Sequence, residues 1–157
     1  MTRLKIAALA LAAAPLFGAL PVAPATDQAA LLKSSDPTLA RNKKNAYDFY
    51  RIVLRGLRLD QADKYMREDY MQHNPNADTG IKGFKAYFTK LGGPKEIPPT
   101  LDGLVSIQAE GDLVTLSFVR EYDDPKMKGQ KYTSTWFDMF RFDKDGKIAE
   151  HWDPATK

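Results

Sequence analysis

Two periodicities divide the chain near Pro99: before it apolar residues recur at three- and four-residue spacing, and after it they alternate. Leu39, Ala46, Tyr50, Val53 and Leu57 form one stripe and predict a helix over Asp36–Leu57, with Arg41, Lys44, Asp48, Arg51, Arg55 and Arg58 on the opposite side. Ser35 is placed to cap it, Pro37 suits its first turn, and Gly56 weakens its end. A short second helix is expected over Leu59–Met66, capped by Asp60. A polar connection, Gln72–Asp78, then leads to a third helix whose stripe is Ile81, Phe84, Phe88 and Leu91, stopped by Gly92-Gly93-Pro94. Beyond Pro99, strands are expected over Leu104–Ala109, Leu113–Tyr122, Lys131–Phe142 and Lys147–Asp153. The turn signals between them are Glu110-Gly111-Asp112, Asp123-Asp124-Pro125 and Asp143-Lys144-Asp145-Gly146. This order describes an α+β domain, N-terminal helices packed on a curved antiparallel sheet.

The first 25 residues stand apart from this pattern. Arg3 and Lys5 precede an apolar run, Ile6–Ala14, that is too short to span a bilayer and right for the core of an export signal. Ala23-Pro24-Ala25 supplies small residues for cleavage before Thr26, while Pro15, Gly18, Pro21 and Pro24 argue against a buried helix. The expected division is a signal peptide at 1–25 and one domain at 26–157, periplasmic or secreted, with no stable membrane anchor.

Composition narrows the chemistry. The 157 residues include 43% hydrophobic and 11% aromatic residues, enough for a buried core and against disorder. The absence of cysteine excludes disulfides, thiol nucleophiles and thiolate metal sites. The formal charge of +3 belongs largely to the leader: removing Arg3 and Lys5 from the 23 basic residues leaves 21 against 20 acidic, +1. With so little excess charge the basic stripe of the first helix reads as a solvated face rather than a polyanion-binding one, and no nucleic-acid partner is expected. No phosphate-binding loop, dinucleotide fingerprint or nucleophile elbow is present.

The final hairpin carries the candidate chemistry. Alternation along Lys131–Phe142 puts Tyr132, Ser134, Trp136, Asp138, Phe140 and Phe142 on one face, so Asp138 is the one charged residue in a largely aromatic row. A two-residue loop at Asp145-Gly146 sets Asp138 opposite Asp153, and a four-residue loop from Asp143 to Gly146 sets it opposite His151. In both registers the three share a face, with Glu150 and Trp152 turned away; a three-residue loop would break the arrangement. A carboxylate among aromatic rings loses hydration, which raises its pKa and suits it to moving protons near neutral pH. The competing reading is an ionised Asp138 in a structural pair with His151 or an arginine. His73 is the other histidine, in an Asn- and Gln-rich loop. No H-x-H or H-E-x-x-H spacing supports a metal site, and Asp143-Lys144-Asp145-Gly146 reads as a hairpin turn rather than a calcium loop.

The segment Tyr70-Met71-Gln72-His73-Asn74-Pro75, followed by Gly80 and Gly83-Phe84, together with Asp138-Met139-Phe140-Arg141-Phe142 and Asp145–Asp153, resembles the SnoaL-like family of the nuclear transport factor 2-like superfamily. The resemblance spans nearly all of the chain after residue 25. It implies a cone-shaped fold with a deep pocket between helices and a concave sheet, commonly a homodimer through the sheet's outer face. The polyketide cyclases that typify the family close a ring by intramolecular aldol condensation without cofactor or metal. Their acid/base aspartate lies on the strand that here carries Asp138. Those cyclases also use a histidine about where this chain has Asp123-Asp124, a departure from the cyclase pattern.

The expectation is therefore a cofactor-independent acid/base enzyme acting on a small carbonyl compound by aldol-type, isomerase or hydratase chemistry. Asp138 moves the proton, His151 orients or assists it, and His73 contacts the substrate. Tyr50, Asn74, Trp136, Phe140 and Asp153 line the pocket, whose guest is a small apolar or carbonyl-containing molecule. The alternative is a non-catalytic periplasmic ligand-binding module of the same fold, in which Asp138 is tied to Arg141 or sealed from any cavity.

Overall fold

Asp36, one residue past the expected Ser35, caps the first long helix: its Oδ1 accepts from the backbone N–H groups of Thr38 at 2.7 Å and Leu39 at 3.2 Å. A carboxylate two bonds from the backbone reaches two orphan donors at once, while Pro37 fills the first position, where no N–H is needed. In the computed structural model, which describes residues 20–157, a short helix α1 (Gln28–Leu31) precedes this helix, α2 (Pro37–Asp48). The export signal's basic start and apolar run lie outside the described residues. The helix expected to run to Leu57 instead widens at Phe49–Arg55 into a π-helical turn, with the Gly56 N–H reaching the Arg51 carbonyl five residues back at 3.1 Å.

After a 3-10 turn (Leu59–Gln61), α3 covers only Ala62–Tyr65, shorter than the helix expected over Leu59–Met66. The chain then becomes a strand, β1 (Met66–Gln72), where the periodicity predicts none. Only Met66 and Tyr70 are buried in it, so its apolar residues repeat at four rather than two, and the ladder is irregular between Met66 and Met71. An edge strand of this kind hides its alternation behind exposed charges. α4 (Gly80–Thr89) follows, and β2 (Leu104–Glu110), β3 (Leu113–Asp123), β4 (Lys131–Phe142) and β5 (Ile148–Trp152) complete a sheet ordered β1-β5-β4-β3-β2. The expected antiparallel sheet is thus mixed, because β1 runs parallel to β5. The fold is α+β, helices followed by a curved, unclosed sheet. Among the described residues no helix is long and apolar enough to cross a membrane.

α2 packs over β2 and β3 and α4 over β1, enclosing an aromatic core that includes Phe49, Tyr70, Phe84 and Phe140. Burying each such ring contributes about 1.5–3 kcal/mol before the entropy of ordering it is counted. The basic side of α2 and of the π-helical turn after it is partly consumed in anchoring loops: Arg41 donates to the Lys144 carbonyl at 3.1 Å and Arg51 to the Pro98 carbonyl at 3.0 Å.

The hairpin joining β4 to β5 adopts the register-breaking loop length and then repairs it. Asp143 and Lys147 close a three-residue loop, Lys144–Gly146, with Gly146 at φ +79°. Phe142 pairs with Ile148, but Arg141 pairs with Glu150, so Ala149 is an extra residue in the ladder. This bulge restores the register of a two-residue loop, with Phe140 opposite His151. Asp138, His151 and Asp153 consequently share the face that looks toward the helices.

Candidate active site

Asp138 sits in the middle of β4 and is 5% exposed. A carboxylate removed from water must be met by donors, and both of its oxygens are. Oδ2 accepts from the Tyr50 hydroxyl at 3.1 Å, and Oδ1 lies 3.0 Å from His151 Nε2, diagonally across the β4–β5 ladder. Tyr50 comes from the π-helical turn, so three elements converge on one carboxyl group.

The other ring nitrogen of His151 is held by β1. Gln72 pairs with His151 across the parallel ladder, and its Oε1 lies 2.9 Å from His151 Nδ1. The same oxygen accepts the Asn74 backbone N–H at 3.0 Å. That donor identifies the facing atom as the amide oxygen, so Nδ1 of His151 carries a hydrogen. Nε2 is then the ring atom that faces the Asp138 carboxyl group. Asp153 lies 4.0 Å from Nε2, its Oδ2 held by the Asn74 side-chain amide at 2.8 Å and its Oδ1 by the Ala155 N–H at 3.0 Å.

These groups form the floor of a cavity of about 470 Å³ between the helices and the sheet. Its wall is aromatic: Tyr50 stacks on Phe118 at 4.4 Å, Trp136 is Phe118's cross-strand neighbour, and Phe140 stacks on His151 at 4.9 Å. Burial and the negative charge of Asp138 push the Tyr50 phenol well above the ordinary tyrosine range, and burial does the same to Tyr70. Tyr50 is thus a fixed neutral donor.

Of the expected residues, Asp138, His151, Asp153, Asn74, Tyr50, Trp136 and Phe140 all border this cavity. His73 does not. Strand alternation turns Gln72 and Asn74 inward and His73 outward, where it stacks on Trp152 at 5.0 Å and binds Glu150 Oε1 through Nε2 at 2.7 Å. Arg141 donates to Glu150 at 2.9 Å and to both oxygens of Asp112 at 2.9 Å. The His73 hydrogen bond, reinforced by Arg141, holds the Glu150 carboxyl below the usual range. Expected as a substrate contact, His73 is instead part of an outer clasp that fastens the loop carrying Gln72 and Asn74. Asp123 is exposed and Asp124 accepts from the N–H groups of Lys126 and Met127 within its own turn, so neither stands in for the cyclases' histidine. Gln72, Arg55 and Arg120 are pocket residues that sequence reasoning missed. Gln72's role depends on β1, whose alternation is hidden.

The described donors that could converge on a metal ion are Asp138, His151 and Asp153, with ligand atoms within 4.8 Å of one another. Each is engaged as described, and an ion there would replace the Asp138–His151 hydrogen bond.

Comparison with known proteins places the chain in a family. The SnoaL-like domain profile matches residues 46–151. The chain belongs to the SnoaL-like domain family. A search of curated proteins finds no matching sequence. Among solved structures, a candidate polyketide cyclase from Acidithiobacillus ferrooxidans aligns with TM-score 0.52 and 18% identity, over 77% of this chain and 89% of the other. A candidate SnoaL-like polyketide cyclase from Jannaschia sp. aligns with TM-score 0.52 and 16% identity, over 78% and 91%. An NTF2-like protein of unknown function from Burkholderia pseudomallei does so with TM-score 0.52 and 14% identity, over 74% and 91%. At these identities the likeness is one of fold: this SnoaL-like chain shares the NTF2-like cone.

The phenols give a pH signature. In the unfolded chain Tyr50 and Tyr70 lose their protons near pH 10, whereas in the fold they keep them, so proton loss above about pH 10 stabilises only the unfolded state. Their contribution is fully present below pH 10 and declines above it. Ultraviolet difference titration should show these two tyrosines ionising only as the fold is lost; all seven titrating together with the fold intact would contradict the burial.

Proposed function

We propose that this SnoaL-like domain is an acid/base enzyme that needs no cofactor and acts on a small carbonyl compound by proton transfer next to the carbonyl. The supporting observation is the buried Asp138–His151 pair, open to the cavity and free of Arg141, which is bound to Glu150 and Asp112 instead. Asp138 takes the proton, His151 shares it through Nε2, and Gln72 keeps Nδ1 protonated. The neutral Tyr50 hydroxyl donates to Asp138 and is placed to turn toward a developing enolate oxygen. One acid/base group in a largely apolar pocket serves aldol, isomerisation and hydration reactions alike, so the family's ring closure is one member of the class.

We further propose export and homodimerisation. Asp27 caps α1 through the Ala30 N–H, and Gln28 binds both backbone groups of Leu101. These side-chain anchors lie just after the expected cut before Thr26, while the Ala25 N–H on its other side donates to the Leu104 carbonyl at 2.8 Å. Residues 20–25 precede the cut, with the Val22 N–H on the Thr133 hydroxyl, and their removal would uncover the sheet face that also bears the half-exposed Phe137. Native mass spectrometry of protein recovered from its producing cells should give twice the mass of Thr26–Lys157; an uncut monomer would contradict both proposals.

The catalytic reading is tested by α-proton exchange of small ketones and β-diketones in heavy water. The protein should accelerate exchange, and Asp138→Asn, which preserves shape and hydrogen bonding, should lower it by about 100-fold or more. Exchange unchanged in that variant sinks the assignment. Ligand binding without exchange in either protein leaves a binding module instead.

A further inference from the structure

The mouth of the pocket carries two arginines that proton transfer does not use. Arg120 continues the pocket-facing row of β3 past Leu116 and Phe118, and its guanidinium lies over the Trp136 ring, 4.2 Å from the centroid. Arg55 reaches the same place from the helical side, 5.6 Å from the Tyr50 centroid and 6.0 Å from that of Phe118. The π-helical turn makes this possible. In an α-helix, residues five apart are nearly one and a half turns removed and face different ways, whereas the wider turn brings Tyr50 and Arg55 over the same cavity.

Arg51 and Arg141 each have carbonyl or carboxylate partners. Arg55 and Arg120 have neither among the described residues and rest only on aromatic faces, which leaves their N–H forks available. The acidic residues lining the same cavity, Asp138 and Asp153, are occupied at the floor. The cavity is therefore polarised: proton-transfer groups below, three stacked or adjacent aromatic rings between, two unpaired cations above. Both guanidiniums also act on the Tyr50 phenol in the sense opposite to Asp138, which places them within electrostatic reach of the same group.

We propose that the pocket selects an unsaturated carboxylate, its flat body against Tyr50, Phe118 and Trp136 and its carboxylate clamped by Arg55 and Arg120. Resting on the proton-transfer reading, this makes the substrate a keto acid, with its reacting carbonyl end at Asp138 and its anionic end at the mouth. Planar guanidinium forks match a carboxylate geometrically, and Arg55 and Arg120 offer theirs at the exposed mouth, where an incoming anion meets them first.

Calorimetric titration with 2-naphthoate and 2-naphthamide, which share a body and differ in charge, tests the clamp. The acid should bind about tenfold or more tightly than the amide, with the preference shrinking as salt is added. Arg55→Gln and Arg120→Gln should each weaken the acid, and the double variant should equalise the two probes while leaving the amide's affinity unchanged, which shows the pocket still folded. Equal affinities in the unaltered protein, a preference that survives in the double variant, or no binding of the acid would each overturn the proposal. Asp138→Asn should keep the preference, so failure at the mouth is distinguished from failure of the catalytic reading, which that variant tests by exchange.

Discussion

A carboxylate buried beneath aromatic rings costs several kcal/mol unless its oxygens meet donors, and the local structure around Asp138 supplies them. The Tyr50 hydroxyl and the His151 ring meet the two oxygens, and Gln72 in turn fixes the ring. Each partner arrives through a departure from regular structure. Tyr50 stands in a π-helical turn, His151 is brought into register by the bulge at Ala149, and Gln72 ends an irregular edge strand. Such irregularities cost stability in isolation and persist where a site over-determines them.

The two faces of the sheet divide the labour. Gln72 and Asn74 point inward to His151 and Asp153, while His73 between them points outward to Glu150 and Trp152. The outer clasp of His73, Glu150, Arg141 and Asp112 touches nothing in the cavity, yet it fastens the backbone from which the inner hydrogen bonds are hung. A charged cluster does at the surface what the apolar core does inside, holding a loop whose residues must be placed to within a few tenths of an ångström.

How much of this was legible follows from range. Helical stripes and strand alternation are local, so the start of α2, the body of α4 and the four C-terminal strands emerged close to their observed limits, and the inward row of Trp136, Asp138 and Phe140 with them. Of the two registers left open, the one that sets Asp138 level with Asp153 is adopted, leaving His151 diagonal to Asp138, and it was reached by a three-residue loop and a compensating bulge that no local signal announces. β1 was missed because only Met66 and Tyr70 are buried in it. With it went the inward turn of Gln72 and the outward turn of His73, since both depend on strand alternation beginning before the polar loop. Arg55 was assigned to the solvated side of a helix on α-helical spacing, and the π turn moved it to the pocket.

The central claim is that His151 is held with Nδ1–H on Gln72, so that Nε2 is the ring atom presented to Asp138. Long-range proton–nitrogen correlation spectra of nitrogen-15-labelled protein read both ring nitrogens directly. The account predicts that Nδ1 of His151 carries a hydrogen in the folded protein and that Asp138→Asn alters the Nε2 signal alone. An unprotonated Nδ1, or an Nε2 signal indifferent to the Asp138 substitution, would contradict it.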